Sequence, residues 1–385
     1  MSDSQGCTRD FPVAMLATPG GKHLATRVDE QLRALCHENG EVAPPTFLCD
    51  SCSYRFQNGE GKGVIRDSVR GKDLYIFCDP GNHGVEYTRY GQQVPMGPDE
   101  HFQDLKRLLG AAKNMPQRTS VIMPLLYESR QHKMHGRESL DCALALQELV
   151  RLGVDEIMTI DAHNSHVMNA IPMTGLENLH ATYQLIKAFL SVTNGEVAIH
   201  PDTMLAVSPD LGGMERARYF AEHLRIDLAG FYKRRDLSRI VNGKNPVIEH
   251  MFLGPPVTDM TILVIDDLLA SGGSLLEVCS ELRERGAGPV YLSVTYALFS
   301  EGFEKYDEAY ADGLFVKLFG TNGTYIPEEL RQREWFEVVD VTRFIGKFIR
   351  TMNKDQSVSK LLDSTERINQ LLGRTFPQPA ETMTA

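Results

Sequence analysis

The chain has 385 residues, 42% of them apolar and 24% charged, and 40 Lys and Arg stand against 51 Asp and Glu for a net charge of −11. This composition excludes global disorder, and the length suits two domains. The acidic balance argues against bulk electrostatic binding to nucleic acid or an anionic membrane, so an anionic ligand has to be held by local positive groups or by a metal. No window approaches 18 consecutive apolar residues, so no transmembrane helix is expected. The start, MSDSQGCTRD, lacks the basic-then-apolar pattern of a secretory signal. Seven cysteines, at 7, 36, 49, 52, 78, 142 and 279, are odd in number and irregular in spacing. That pattern predicts reduced thiols and a cytoplasmic protein.

The first ten residues read as a frayed tail. PVAMLATPGGKHLATRVDEQLRAL then reads as a strand, a glycine turn and a helix, and a polar stretch with Pro44 and Pro45 reads as a loop or insertion. GKDLYIFCD (71–79) is a strand suited to a buried parallel sheet. From 119 the pattern becomes regular. TSVIMPLLY is a strand, ESRQHKMHGRE a polar basic loop, and SLDCALALQELVRLG a helix with Ser139 as N-cap and Gly153 as its stop. VDEIMTIDAH and MLAVSPD (204–210) are strands, the second followed by a Gly-Gly turn and the helix MERARYFAEHL. IDLAGFYKRRD is a strand with a basic end. TILVIDD (261–267) is a strand, LLASGGS a tight loop, LLEVCSELRERG a helix and VYLSVTYALF a further strand. Strands alternating with helices on both sides of about residue 195 predict an α/β protein with two similar domains and parallel sheets. A disordered tail is expected from about 370.

In such sheets functional groups gather at the carboxyl ends of the strands. The polar motifs Asp161–His163, Asp210–Gly213, Lys233–Arg235 and Asp266–Ser274 fall there. The sharpest of them runs from Thr261 to Ser274: an apolar strand, then Asp266 and Asp267, then a small-residue loop that opens a helix. Backbone N–H groups and Ser hydroxyls at a helix N-terminus suit a phosphate, and the glycines let the backbone approach it. The two carboxylates suit vicinal ribose hydroxyls. The chemistry fits a sugar 5-phosphate; the same residue types also fit an ordinary acidic strand–helix turn.

The segment resembles the 5-phosphoribosyl loop of type I phosphoribosyltransferases and of ribose-phosphate pyrophosphokinases (PRPP synthetases), and other segments choose between the two. VSPDLGGMERAR (207–218), TIDAHNSHV (159–167), Arg130-Gln131 with Arg137-Glu138, FQNGEGKGVIRDSVRGKDLYIF and Tyr232-Lys233-Arg234-Arg235 are similar to motifs of the pyrophosphokinases and stand in that family's order over about 11–350. The resemblance implies two tandem type I phosphoribosyltransferase-like domains, each with a mainly parallel central sheet flanked by helices. An N-terminal domain over 11–192 would carry the ATP side and subunit contacts. A C-terminal domain over 193–350 would carry the ribose 5-phosphate loop, and a helix and tail would occupy 351–385. The implied reaction is diphosphoryl transfer from ATP to C1 of ribose 5-phosphate.

Carried onto this chain, the resemblance makes His163 and Asp210 partners of Mg²⁺, which keeps waters and shares substrate phosphates. Lys233 and Arg235 become the groups that stabilise charge on the transferring diphosphoryl unit, with Arg234 beside them. Phe56, Asn58 and Glu60 fall on the adenine-binding loop that serves a neighbouring subunit, and Arg130 and Gln131 on the ATP side. Asp266 and Asp267 match the ribose-hydroxyl acids, and Ser271, Gly272, Gly273 and Ser274 the 5-phosphate cradle. No G-x-x-x-x-G-K-[ST] run occurs, so ATP is not expected on a P-loop. The chain departs from the family at Ala270 and His132, where an Asp is usual, and at Asn58. Cys49 and Cys52 form a lone C-x-x-C, read as loop thiols. Glu215, Arg216 and Arg218 are read as a solvated helical face or subunit contact, and His135 and His166 stay unassigned.

These features predict an Mg²⁺-dependent ribose-phosphate pyrophosphokinase that acts on ATP and ribose 5-phosphate, releases AMP and forms a homo-oligomer, commonly a hexamer built of dimers. Three rivals stand beside it: a pyrophosphokinase for a larger ribose-5-phosphoryl compound such as ADP-ribose, a non-catalytic regulatory homologue, and a plain phosphoribosyltransferase.

Overall fold

The computed structural model describes residues 11–113, 115–134, 136–235 and 247–375, with backbone alone at 233–235 and 247–250. The chain divides into two compact units. The first takes the chain up to Ala181 together with Asn322–Pro327 and Asp340–Asp363; the second takes Thr182–Thr321, Glu328–Val339 and the chain from Ser364.

In the first unit the strands Val13–Ala17, Asp73–Phe77, Arg118–Ile122, Glu156–Ile160 and Gly175–Leu179 lie side by side in that order. All neighbours are parallel. On the outer side of Val13–Ala17, Met15 bridges Leu48 in parallel. The chain therefore steps first to one side of its opening strand and then to the other. The strand order reverses at the first strand, which opens a crevice at the carboxyl ends beside it. Asp73–Phe77 is buried along its whole length, as a strand covered on both faces must be. Ala14, Leu16, Leu74 and Ile76 face a core closed by the helices Pro98–Ala112 and Asp141–Arg151.

The opposite face is covered by Lys22–Glu38, whose buried Leu24, Val28, Leu32 and Leu35 recur at helical spacing. That helix packs in turn on Thr342–Asn353, a helix from the returning segment. A side chain at Gly346 would already touch Leu35 at 3.4 Å, so glycine there sets the closeness of the two helices.

The second unit holds a seven-stranded sheet in the order Val247–Leu253, Asp227–Arg235, Met204–Ser208, Thr261–Leu269, Val290–Ala297, Lys317–Thr321, Phe336–Val339. The first pair is antiparallel and the others are parallel. The chain moves outward from Met204–Ser208 to the edge hairpin, then crosses to Thr261–Leu269 on the other side. The order reverses between these two strands, so their carboxyl ends, Ser208 and Leu269, flank the second crevice.

Two local expectations shift. The third helix of the first unit starts at Asp141 behind Leu140, and Ser139 Oγ donates to the Asp141 carboxylate at 2.6 Å instead of capping a backbone N–H. The expected tail at 370 is still helical: Thr365–Thr375 is a helix whose Ile368 is fully buried and whose Arg367 lies over the Tyr183 ring. Burial of Ile368, the cation–π contact and a 3.0 Å hydrogen bond between Thr365 Oγ1 and His223 Nε2 dock a segment that reads as polar. Among the described residues six cysteines are free thiols, and no helix is long and apolar enough to cross a membrane.

Asp73 staples the first unit. It is fully buried and accepts from Arg118 Nε at 2.9 Å, Arg118 Nη2 at 2.6 Å and Tyr75 Oη at 2.7 Å, while Arg118 also donates to the Met352 carbonyl at 2.7 Å. Removing Asp73 leaves the Arg118 guanidinium, among the described residues, with only the more exposed Asp355, 2.9 Å away, as an acidic partner. Asp73→Ala is expected to lower the unfolding free energy by about 3–5 kcal/mol in denaturant titration, and an effect below about 1 kcal/mol would show that the staple is dispensable.

Candidate functional site

In the second unit the two strands that flank the reversal deliver most of the predicted groups. Past Met204–Ser208, the Ser208 hydroxyl donates to the Asp210 carbonyl at 2.7 Å, and Asp210 Oδ1 accepts the Gly213 N–H at 3.0 Å. These bonds close the turn and leave Asp210 exposed at the head of the helix Met214–Leu224. The strand Thr261–Leu269 runs two residues beyond the predicted end, so Asp266 and Asp267 are still in extended backbone, and the Asp267 N–H donates to Asp266 Oδ1 at 2.9 Å. A Cβ built on Gly213 would lie 2.8 Å from Ser208 Oγ and 3.9 Å from both the Asp210 and the Asp266 carboxylates. Glycine is what lets the two motifs meet.

Asp267 is buried and pairs with Arg216 at 3.2 Å. Arg216 is thus part of the acidic crevice and not of a solvated face; the signal that could have found it is its position three residues past Gly213, on the helix that the VSPD turn starts. Arg218 does lie at the surface, near Glu222. The carboxyl of Asp266 is pushed well above the ordinary range, first by burial, then by the charge of and hydrogen bond with Asp267, then by Asp210. This is an excess of negative charge that a cation or sugar hydroxyls would relieve.

The loop after the strand is shaped by one residue in left-handed backbone. Gly272 has φ +76° and caps the helix Gly273–Glu284. A Cβ there would fall 2.4 Å from the hydroxyl of buried Tyr306, which donates to the Gly272 carbonyl at 3.0 Å. Tyr306 stacks on Trp335, so an aromatic cluster under the loop holds its curvature. Ala270 is tied down by its carbonyl, which accepts the Ser300 N–H at 2.9 Å. Ser271 and Gly273 are half-buried and Ser274 exposed, at a helix N-terminus where backbone N–H groups favour an anion. Lys233, Arg234 and Arg235 end the strand Asp227–Arg235, which Met204–Ser208 separates from Thr261–Leu269, and their backbones pair with His250, Glu249 and Val247. Their side chains lie outside the described residues, as does His135.

The first unit presents the other predicted residues at the carboxyl ends of its own strands. His163 is exposed, and the segment that carries it is anchored below. Asp161, buried and at φ +46°, binds His180 Nδ1 through Oδ1 at 2.8 Å and accepts the Ala181 N–H at 3.2 Å. The Ala162 N–H donates to Asn178 Oδ1 at 2.9 Å. His166 instead turns back on Asn164. Arg130 is exposed, whereas the Gln131 side chain is spent on its own loop, donating to the Ser139 carbonyl at 2.9 Å.

Phe56, Asn58 and Glu60 form the turn of the hairpin Ser51–Arg55 and Gly61–Ile65. Asn58 accepts the Glu60 N–H at 3.1 Å and donates to the Glu60 carboxylate at 2.9 Å, so Asn58 pre-shapes the turn while the Phe56 ring is 52% exposed. The hairpin is held by Arg55, which donates to the fully buried Asp104 at 2.7 Å. Cys52 sits in the first strand of this hairpin instead of a loop, and burial pushes the Cys49 thiol up.

Two family models match the chain: the N-terminal domain of ribose phosphate pyrophosphokinase over residues 13–153, and the phosphoribosyl transferase domain over residues 173–317. The chain belongs to the ribose-phosphate pyrophosphokinase family. Among its curated relatives, a ribose-phosphate pyrophosphokinase of Parasynechococcus marenigrum is 28% identical over 80% of this chain and 84% of its own. Ribose-phosphate pyrophosphokinase A of Dictyostelium discoideum is 26% identical over 81% and 89%. The phosphoribosylpyrophosphate synthetase structure from Mycobacterium smegmatis shares the fold with a TM-score of 0.71 at 21% identity, covering 89% of this chain and 99% of that one. The family makes this chain an enzyme, a transferase of diphosphate groups, and its two units are tandem phosphoribosyltransferase-like domains.

The Asp266 environment makes a pH prediction. Its folded-state pKa lies above the ordinary value of about 4. The native state therefore holds this proton more tightly than the unfolded chain, and stability falls as pH rises from about 4 towards the folded-state value. In EDTA, Asp266→Asn is expected to flatten that fall, giving a higher Tm than the wild type at pH 8 and no such advantage at pH 4. Parallel Tm–pH curves would contradict the assigned charge excess.

Proposed function

We propose that this family member transfers the β,γ-diphosphoryl group of ATP to the C1 hydroxyl of ribose 5-phosphate, giving PRPP and AMP. The observation that carries the reading is the crevice of the second unit. Its acids, Asp210, Asp266 and Asp267, and the helix N-terminus at Gly272–Ser274 stand where the strand order reverses. A phosphate on that N-terminus leaves the ribose hydroxyls to the acids above it.

The C1 oxygen attacks the β-phosphorus, the bond from that phosphorus to the α,β-bridging oxygen breaks, and AMP leaves with the electron pair; the hydroxyl proton goes to solvent. Lys233 and Arg235 would offset charge on the bridging and terminal oxygens. Asp210, an exposed carboxylate, and His163, an exposed imidazole, would each serve as a ligand of a Mg²⁺ ion that keeps waters and shares substrate phosphates. Such an ion would neutralise phosphate charge. Phe56, Asn58 and Glu60 would bind adenine from a neighbouring subunit of a homo-oligomer, with Arg130 and Gln131 on the same nucleotide. The protein is proposed to be cytoplasmic.

Ala270 favours one second reading. With no carboxylate at that loop position, a larger ribose-5-phosphoryl acceptor such as ADP-ribose would meet less charge. The test is AMP release from ATP and Mg²⁺ across a panel of sugar phosphates, with product masses. Ribose 5-phosphate is expected to give PRPP, and Lys233→Ala to lower kcat by about 10²–10³. Release only with another acceptor would replace the substrate, and unchanged AMP formation in the variant would remove the catalytic assignment.

A further inference from the structure

The strands Arg118–Ile122 and Glu156–Ile160 are parallel neighbours, with Ile122 opposite Met158. Beyond their carboxyl ends each delivers a histidine to the same place. The rings of His132 and His163 stand 5.4 Å apart between centres, at 60° to one another. His163 is exposed and His132 half-buried, so the pair borders solvent on one side. Neither ring rides on a loose loop. Asp161 and Asn178 anchor the His163 segment through the bonds given above, and the side chain of Gln131, the residue before His132, bonds the carbonyls of Lys133 and Ser139 further along the same loop.

Two imidazoles that each place a nitrogen about 2.1 Å from one ion have ring centres roughly 3.2 Å from it, and centres 5.4 Å apart then subtend about 115° at the ion. That angle is close to the tetrahedral value. Paired imidazole nitrogens also favour cations of the Co²⁺, Ni²⁺ and Zn²⁺ class over Mg²⁺, which prefers oxygen. We infer that His132 is a second nitrogen donor beside His163, so that the pair seats a borderline divalent cation more tightly than Mg²⁺. The inference rests on the proposed metal role of His163 and adds to it a ligand and a cation class.

The probe is Co²⁺ alone, added to the tag-free full chain. Equilibrium dialysis gives its affinity against Mg²⁺, and cobalt-edge X-ray absorption counts the imidazoles around it. The wild type is expected to bind Co²⁺ more tightly than Mg²⁺ and to show two imidazoles. His132→Phe, which keeps a ring in the packing, and His132→Gln, which keeps polarity, should each show one imidazole. Each should also raise the Co²⁺ dissociation constant on the order of tenfold or more, since even an outer-shell partner carries that cost.

One imidazole in the wild type, lost in His163→Phe and kept in both His132 variants, would overturn the inference and leave the proposed function standing. No imidazole at all would overturn both the inference and the metal role of His163. Two imidazoles without AMP release from ATP would support the pair and overturn the proposed reaction.

Discussion

A carboxylate kept from water beside two others needs positive charge, and that need organises the second unit. Asp266 lies between Asp267 and Asp210 because the strand order reverses at that point and Gly213 allows the two turns to approach. Arg216 compensates one of the three acids. The rest of the field is left for whatever enters the crevice. A sugar brings hydroxyls and a phosphate-bound cation brings charge, so the same arrangement that costs stability in the empty protein is relieved by ligand.

The scaffold separates rigid support from variable contact. Under the phosphate-type loop lies an aromatic cluster in which Tyr306, stacked on Trp335, donates to the Gly272 carbonyl and fills the space a Cβ would need. In the first unit the buried Asp161, in left-handed backbone, plays the corresponding part beneath His163. Such strained or tightly packed positions persist only where their surroundings over-determine them. In both units groups offered to solvent rest on residues bonded beneath them, among them the buried Asp161 and Tyr306.

Much of this is legible in the residues themselves. Continuous apolar runs such as LYIF and ILVI mark buried parallel strands, and the acids, glycines and serines that follow them mark the carboxyl-end turns. Ordered motifs then identify the family. What local pattern does not carry is long-range: the return of Asp340–Asp363 to the first unit, the pairing of Arg216 with Asp267, the Tyr306 prop and the approach of His132 to His163. Each depends on which elements become neighbours, and periodicity within a segment is silent on that. Ser139 misleads for a smaller reason: its hydroxyl finds the nearby Asp141 carboxylate before it finds a helix N–H.

Every role proposed for the second unit depends on where a pentose phosphate sits. A crystal structure with ribose 5-phosphate and a non-hydrolysable ATP analogue tests this directly. The phosphate is expected on the backbone between Ser271 and Ser274, with the 2- and 3-hydroxyls on Asp266 and Asp267. A sugar bound elsewhere, or this loop occupied by the nucleotide instead, would contradict the assignment of the crevice.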